Sequence, residues 1–141
     1  MNVDESERER YHELTAYTLS HTDPAFIHQY AVDAFAAQTA DDTTKPITLA
    51  FALVGLYLAA ERQYSGRNVQ RVHTLLARRR KRWPTFGIPE HRGAITVRDV
   101  MDVPPGPERD EAIRRWAVNV WQAYSGQRDE VLDLLKTELG Y

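Results

Sequence analysis

Three polar side chains in one predicted helix could act as acids, bases or ligands: His28, Asp33 and Gln38. They recur every five residues. Five residues advance about 140° around an α-helix, so the three point to different faces and cannot form a one-helix ligand triplet. His28 shares a stripe with Val32 and Phe35, and Asp33 shares one with Gln29 and Ala37. A structural reading makes each a polar group at a helix contact, satisfied by a cap or a backbone carbonyl. A functional reading lets one or two of them face a pocket shared with Glu61 or His73. Tyr57, on the following helix, completes the set of binding candidates. Glu61 ends that helix, where the dipole opposes a carboxylate. Arg62 and Arg67 are close enough in sequence to pair with it. A structural ion pair at the corner of the third and fourth helices is expected, with a general base as the alternative.

Metal chemistry finds little support. Neither Glu-x-x-His nor His-Glu-x-x-His occurs, and His12, His21, His28, His73 and His91 are scattered over several elements. No metal site and no cofactor are expected. The chain lacks cysteine, which excludes disulfides, thiolate metal sites and cysteine nucleophiles. Its serines lie near helix ends or turns, outside any Gly-x-Ser-x-Gly elbow. Glycine-rich nucleotide cradles are absent too.

The strongest charge feature is Arg78-Arg79-Arg80-Lys81-Arg82. Residues 62–82 hold eight basic residues and no acid, although the chain of 141 residues carries a net charge of −2. A basic arm and an acidic body are expected. Consecutive cations point all round a helix, so the run makes a charged end, favoured by the dipole, rather than a flat stripe. These five residues are candidates for anion or nucleic-acid contact. Nucleic acid is nevertheless not the expected partner, because the domain is not net basic and shows no reading element.

These residues need helices to position them. The predicted helices run over about 5–20, 24–40, 46–64, 67–82, 107–125 and 127–139, with a short one at 97–101. Asp23 and Pro24 form a start signal for the second, and Pro46 lies in the first turn of the third. Thr96 is placed to cap the short helix, and Gly140 to end the last. Ile47 to Ala60 is apolar apart from Thr48 and Gly55. Fourteen residues span about 21 Å as helix, short of a hydrocarbon core of about 30 Å, so this is a buried central helix and no membrane span. Gly55 costs about 1 kcal/mol in helix propensity and implies a packing reason. Strands are not needed; Ala94 to Val97 is the marginal candidate. The excursion 83–106 is long for a bundle, and long ordered loops are often functional.

Four segments carry a resemblance. They are His28-Gln29-Tyr30-Ala31-Val32-Asp33-Ala34-Phe35-Ala36-Ala37-Gln38, Leu53-Val54-Gly55-Leu56-Tyr57-Leu58-Ala59-Ala60-Glu61, Ile95-Thr96-Val97-Arg98-Asp99-Val100 and Trp116-Ala117-Val118-Asn119-Val120-Trp121. With these the chain resembles the DUF5946 type of small bacterial and archaeal helical proteins of unknown function. The resemblance implies a helical fold and supplies no activity. It also exposes departures. Thr39 and Ala52 stand where the pattern often has histidine, and the N-terminal cysteines of many members are missing. A histidine-based family site would be largely lost here.

The expected fold class is all-α: a single-domain bundle of five main helices plus a short helix in the 83–106 loop, around a central apolar helix at about 46–64. Residues 1–10 are expected to fray, and the charged N-terminus gives no secretory signal. The expected setting is soluble and cytoplasmic. The first functional expectation is a non-enzymatic binding or interaction module for an unidentified small ligand or protein. Its pocket would lie between the second and third helices and the 83–106 loop. Two alternatives follow: a small enzyme, metal-dependent or not, using His28, Asp33, Glu61 and His73 as acid, base or metal ligands, and a nucleic-acid-associated protein using residues 78–82. A homodimer through Trp116, Trp121 and Tyr124 is a further possibility, since those aromatics exceed what one neighbour covers.

Overall fold

The computed structural model describes residues 5–20, 23, 25–79 and 82–141. Seven α-helices follow in order: α1 Glu5–Leu19, α2 His28–Gln38, α3 Pro46–Glu61, α4 Gly66–Arg79, α5 Val97–Asp102, α6 Pro107–Ala123 and α7 Arg128–Leu139. A 3-10 turn, Ser125–Gln127, joins the last two. No strand occurs among the described residues, so Ala94 to Val97 is not one.

The apolar α3 sits at the centre. Leu53, Val54, Leu56 and Leu58 are fully buried, and α2, α4, α6 and α7 all pack on this helix. Lys45 is extended and Pro46 lies in the first turn, where the missing N–H is one that the helix leaves unpaired anyway. The helix ends at Glu61, three residues before the expected end. Gln63 turns left-handed with φ 56°, and the Tyr64 N–H folds back to the Leu58 carbonyl at 3.0 Å. No helix among the described residues is long and apolar enough to cross a membrane.

Among the described residues six main helices are present rather than five, beside the short α5, and α1 is packed on its neighbours. Leu14 and Thr18 are buried, and Tyr11 stacks on Phe35 with ring centroids 3.9 Å apart. The Tyr17 hydroxyl accepts from the Gly106 N–H at 2.9 Å and donates to Asp110 Oδ1 at 2.8 Å, which ties α1 to the start of α6.

Helix α2 starts four residues later than expected. The Asp23 carboxylate accepts from the N–H groups of Ala25 and Ile27, and Phe26 adopts φ 52°, which closes a separate turn. Pro24 lies outside the described residues. The turn packs on the first residue of α4: a Cβ on Gly66 would lie 1.8 Å from the Phe26 carbonyl oxygen, so only glycine fits. As expected, Thr96 precedes the short α5, and the Asp99 carboxylate accepts from its N–H at 2.9 Å. Gly140 ends α7 with φ 74°.

Candidate functional site

The polar residues of α2 diverge as their spacing requires. His28 Nδ1 lies 2.9 Å from Thr18 Oγ1 on α1, and burial lowers its pKa. Gln38 points to the loop and to α6. Its Nε2 donates to the Ile95 carbonyl at 2.7 Å and the Arg92 carbonyl at 3.2 Å, and its Oε1 accepts from Trp116 Nε1 at 3.0 Å. Arg92 returns a hydrogen bond to the Gln38 carbonyl. Gln38 is therefore a structural clamp on the 83–106 excursion, with both ends of its amide occupied.

Asp33 points to α3. It is 3% exposed. Its Oδ1 accepts from Gln29 Nε2, one turn earlier, at 3.0 Å. Oδ2 has no partner and is the one buried side-chain nitrogen or oxygen among the described residues of which that is true. Gly55 supplies the space it fills: a Cβ there would lie 1.9 Å from Oδ2 and 2.7 Å from Cγ. This is the packing reason for a glycine inside the central helix. Burial pushes the Asp33 pKa well above the usual carboxylate range, against a smaller lowering by the Gln29 hydrogen bond. Tyr11 feels the same surroundings; burial first, and then Asp33, raise its pKa to about 12.

Gln29 also lines an open cleft of about 820 Å³ with Phe51, Arg67, Gln70, Arg71, His73, Thr74 and Leu75. This is not the pocket expected between α2, α3 and the 83–106 loop: α4 supplies most of its lining, α2 and α3 one residue each, and the loop none of the residues named. Two of the lining residues, Phe51 and His73, stack with ring centroids 4.8 Å apart, and Trp83, outside the lining, meets Phe51 edge-on. His73 Nε2 lies 2.8 Å from the Phe51 carbonyl. A carbonyl only accepts, so Nε2 carries the proton and Nδ1 keeps the lone pair in the neutral ring. Burial lowers the His73 pKa, partly offset by that carbonyl. Arg67 stands over the Phe26 ring at 4.1 Å, and Arg71 donates to the neutral Asn68 amide. Among the described residues no carboxylate lines the cleft.

Glu61 and Tyr57 lie elsewhere. Glu61 is paired, but with Arg128 of α7 rather than with Arg62 or Arg67. The guanidinium grips it at 2.7 and 2.9 Å, and Trp121 Nε1 donates to it at 2.7 Å. The Arg128 hydrogen bond lowers its pKa, against a smaller effect of burial, with Trp121 adding to the lowering. Arg62 faces the Tyr64 ring instead. Tyr57 is buried and packs on Trp121. Ten residues of helix, about 15 Å, separate Glu61 from Phe51. The four residues of the enzyme alternative therefore do not meet: His28 faces α1, Glu61 faces α6 and α7, and Asp33 and His73 remain near the cleft. Among the described residues no three histidine or carboxylate side chains come together as a metal site would need; His21 lies outside them.

Arg80 and Lys81 lie outside the described residues. Arg78, Arg79 and Arg82 are exposed, and Arg79 donates to the Glu138 carbonyl at the end of α7. Trp116, Trp121 and Tyr124 are buried within the chain, with Tyr124 donating to the Ala37 carbonyl at 2.6 Å. A homodimer therefore loses the aromatic surface that suggested it.

Sequence reasoning missed the cleft residues Gln29, Phe51 and Arg71. One signal was available: Gln29 and Asp33 stand at i and i+4, the spacing at which helical side chains meet. A family model described as a family of unknown function, DUF5946, matches residues 6–125. No curated protein and no solved structure matches the chain.

Proposed function

We propose that this chain, which belongs to the DUF5946 family of unknown function, is a binding module that seats a small organic anion in the cleft between α2, α3 and α4. The observation that carries this reading is the lining itself. Two arginines, Arg67 and Arg71, and the apolar side chains of Phe51 and Leu75 line the cleft together, with no acid among the residues named. Such a wall suits a flat apolar body with one anionic group, because the guanidinium forks match a carboxylate or phosphate while the rings cover the body. Gln70, Thr74 and His73 add hydrogen-bonding groups on the α4 side.

Calorimetric titration with naphthalene-1-acetate, a planar aromatic carboxylate, tests the reading. Saturable binding is expected, weakened about tenfold or more by Arg71→Glu, since a charge-assisted hydrogen bond is replaced by repulsion. Arg71 is the suitable position, because among the described residues its one hydrogen-bond partner is the exposed Asn68. Binding unaffected by Arg71→Glu, or no binding at millimolar probe, contradicts the reading.

A further inference from the structure

We propose that Asp33 is a positioning residue for this cleft: through Gln29 it sets a hydrogen-bond acceptor on the cleft wall, so that the cleft favours planar organic anions carrying an N–H donor over those without one. The inference rests on the cleft being the ligand seat.

Its geometry begins at Gly55. The missing side chain there admits the Asp33 carboxyl to the α2–α3 contact, and Val69 of α4 borders the same Gly55 position. Asp33 is therefore seated between its own helix and α3. From this fixed point Oδ1 takes the Nε2–H of Gln29 at 3.0 Å. A primary amide has one oxygen and one nitrogen end. Once the nitrogen end is committed to Asp33, the oxygen end is turned away from it. Gln29 Oε1 accepts no hydrogen bond from the chain among the described residues, and it is not one of the sealed, partnerless atoms. It therefore keeps some accessible surface, although Gln29 as a whole is only 8% exposed, and Gln29 lines the cleft.

The remaining polar groups sharpen the ligand class. Arg67 and Arg71 bring only donors, so they address the anion. Gln29 Oε1 is an acceptor and calls for a donor on the ligand. Phe51 and the His73 ring stacked on it, at an interplanar angle of 15°, supply the aromatic part of the lining for the body between. An aromatic heterocycle with a ring N–H and an acidic side arm matches all three.

Indole-3-acetate and naphthalene-1-acetate make the test. Both are planar bicyclic rings with one carboxymethyl group, and only the first carries a ring N–H. Titration of the wild-type chain with each gives an affinity ratio. The ratio is expected to favour indole-3-acetate by about three- to tenfold, the worth of one hydrogen bond. Asp33→Asn retains an oxygen for Gln29 and keeps the ratio. Asp33→Ala releases Gln29 and brings the ratio to about one, and Gln29→Leu does so whether or not Asp33→Ala folds. The ratio reports Gln29 orientation, which a purely structural role of Asp33 would not move. Equal binding of the two probes by wild type overturns this inference alone, as does a ratio that survives Gln29→Leu. Failure of both probes to bind overturns the underlying reading of the cleft as well.

Discussion

The Asp33 carboxyl occupies the space that a side chain on Gly55 would need, with an alanine Cβ placed 1.9 Å from Oδ2. Two residues that sequence treats separately, a polar group in α2 and a glycine in α3, are therefore one packing unit. Gly55→Ala should gain about 1 kcal/mol in helix propensity, yet lose more by overpacking a core that resists displacement. A net destabilisation of about 1–3 kcal/mol is expected in urea unfolding. Asp33→Ala in the same chain should recover part of that loss, because it removes the atoms in collision. Additive losses from the two changes would contradict the pairing.

The pH dependence of stability follows from the same carboxyl. The Asp33 pKa is raised in the folded state above the ordinary value of 3.8, first by burial. Above that value the unfolded chain has released the proton while the folded chain still holds it. Stability is then greatest below the unfolded pKa and declines as pH rises toward the folded one. The unfolding free energy of wild type relative to Asp33→Asn should fall with rising pH above about 4, by at most about 1.4 kcal/mol per unit. A difference that stays flat, or that grows with pH, would show an ionised and paired Asp33.

Gln38→Leu should loosen the 83–106 excursion. It leaves the buried Trp116 indole N–H without an acceptor and the Ile95 carbonyl without its donor. A cost of about 2 kcal/mol or more is expected, together with faster proteolytic nicking between residues 83 and 96. Unchanged nicking would mean that Arg92 and Asn119, which accepts from the Ile95 N–H, hold the segment without Gln38.

Much of this architecture was legible before any coordinates. Periodicity placed the helices because α3 is apolar on all sides and α6 carries a 3-4 pattern of aromatic and aliphatic residues. The five-residue spacing on α2 correctly separated His28, Asp33 and Gln38. Helix ends were less legible, since they depend on remote contacts: Phe26 takes a left-handed turn against Gly66, forty residues away. The partner of Glu61 was misassigned for the same reason, as Arg128 reaches it only after α7 folds back on α3. The cleft was hidden because two of its lining residues, Arg67 and Arg71, read as ordinary helix surface until α4 lies beside Phe51 and Gln29.

Glu61→Gln should weaken the hold of α7 on α3. The Arg128 hydrogen bonds lower the Glu61 pKa, so this contribution is present above the unfolded carboxyl pKa and is lost as pH falls through the lower folded value. Unfolding curves of wild type and Glu61→Gln should converge in acid and at high salt, because the pair is partly exposed. A difference that persists in acid would place the effect in packing rather than charge.

The most direct measurement of the ligand seat is a ¹H–¹⁵N NMR titration with naphthalene-1-acetate. The account predicts saturable shifts concentrated at Phe51, Gln70, Arg71, Thr74 and Leu75 and at the Gln29 side-chain amide, greatly reduced in Arg71→Glu. Shifts centred on another groove, such as that between Asp102 and Arg115, or no shifts at millimolar probe, would contradict it.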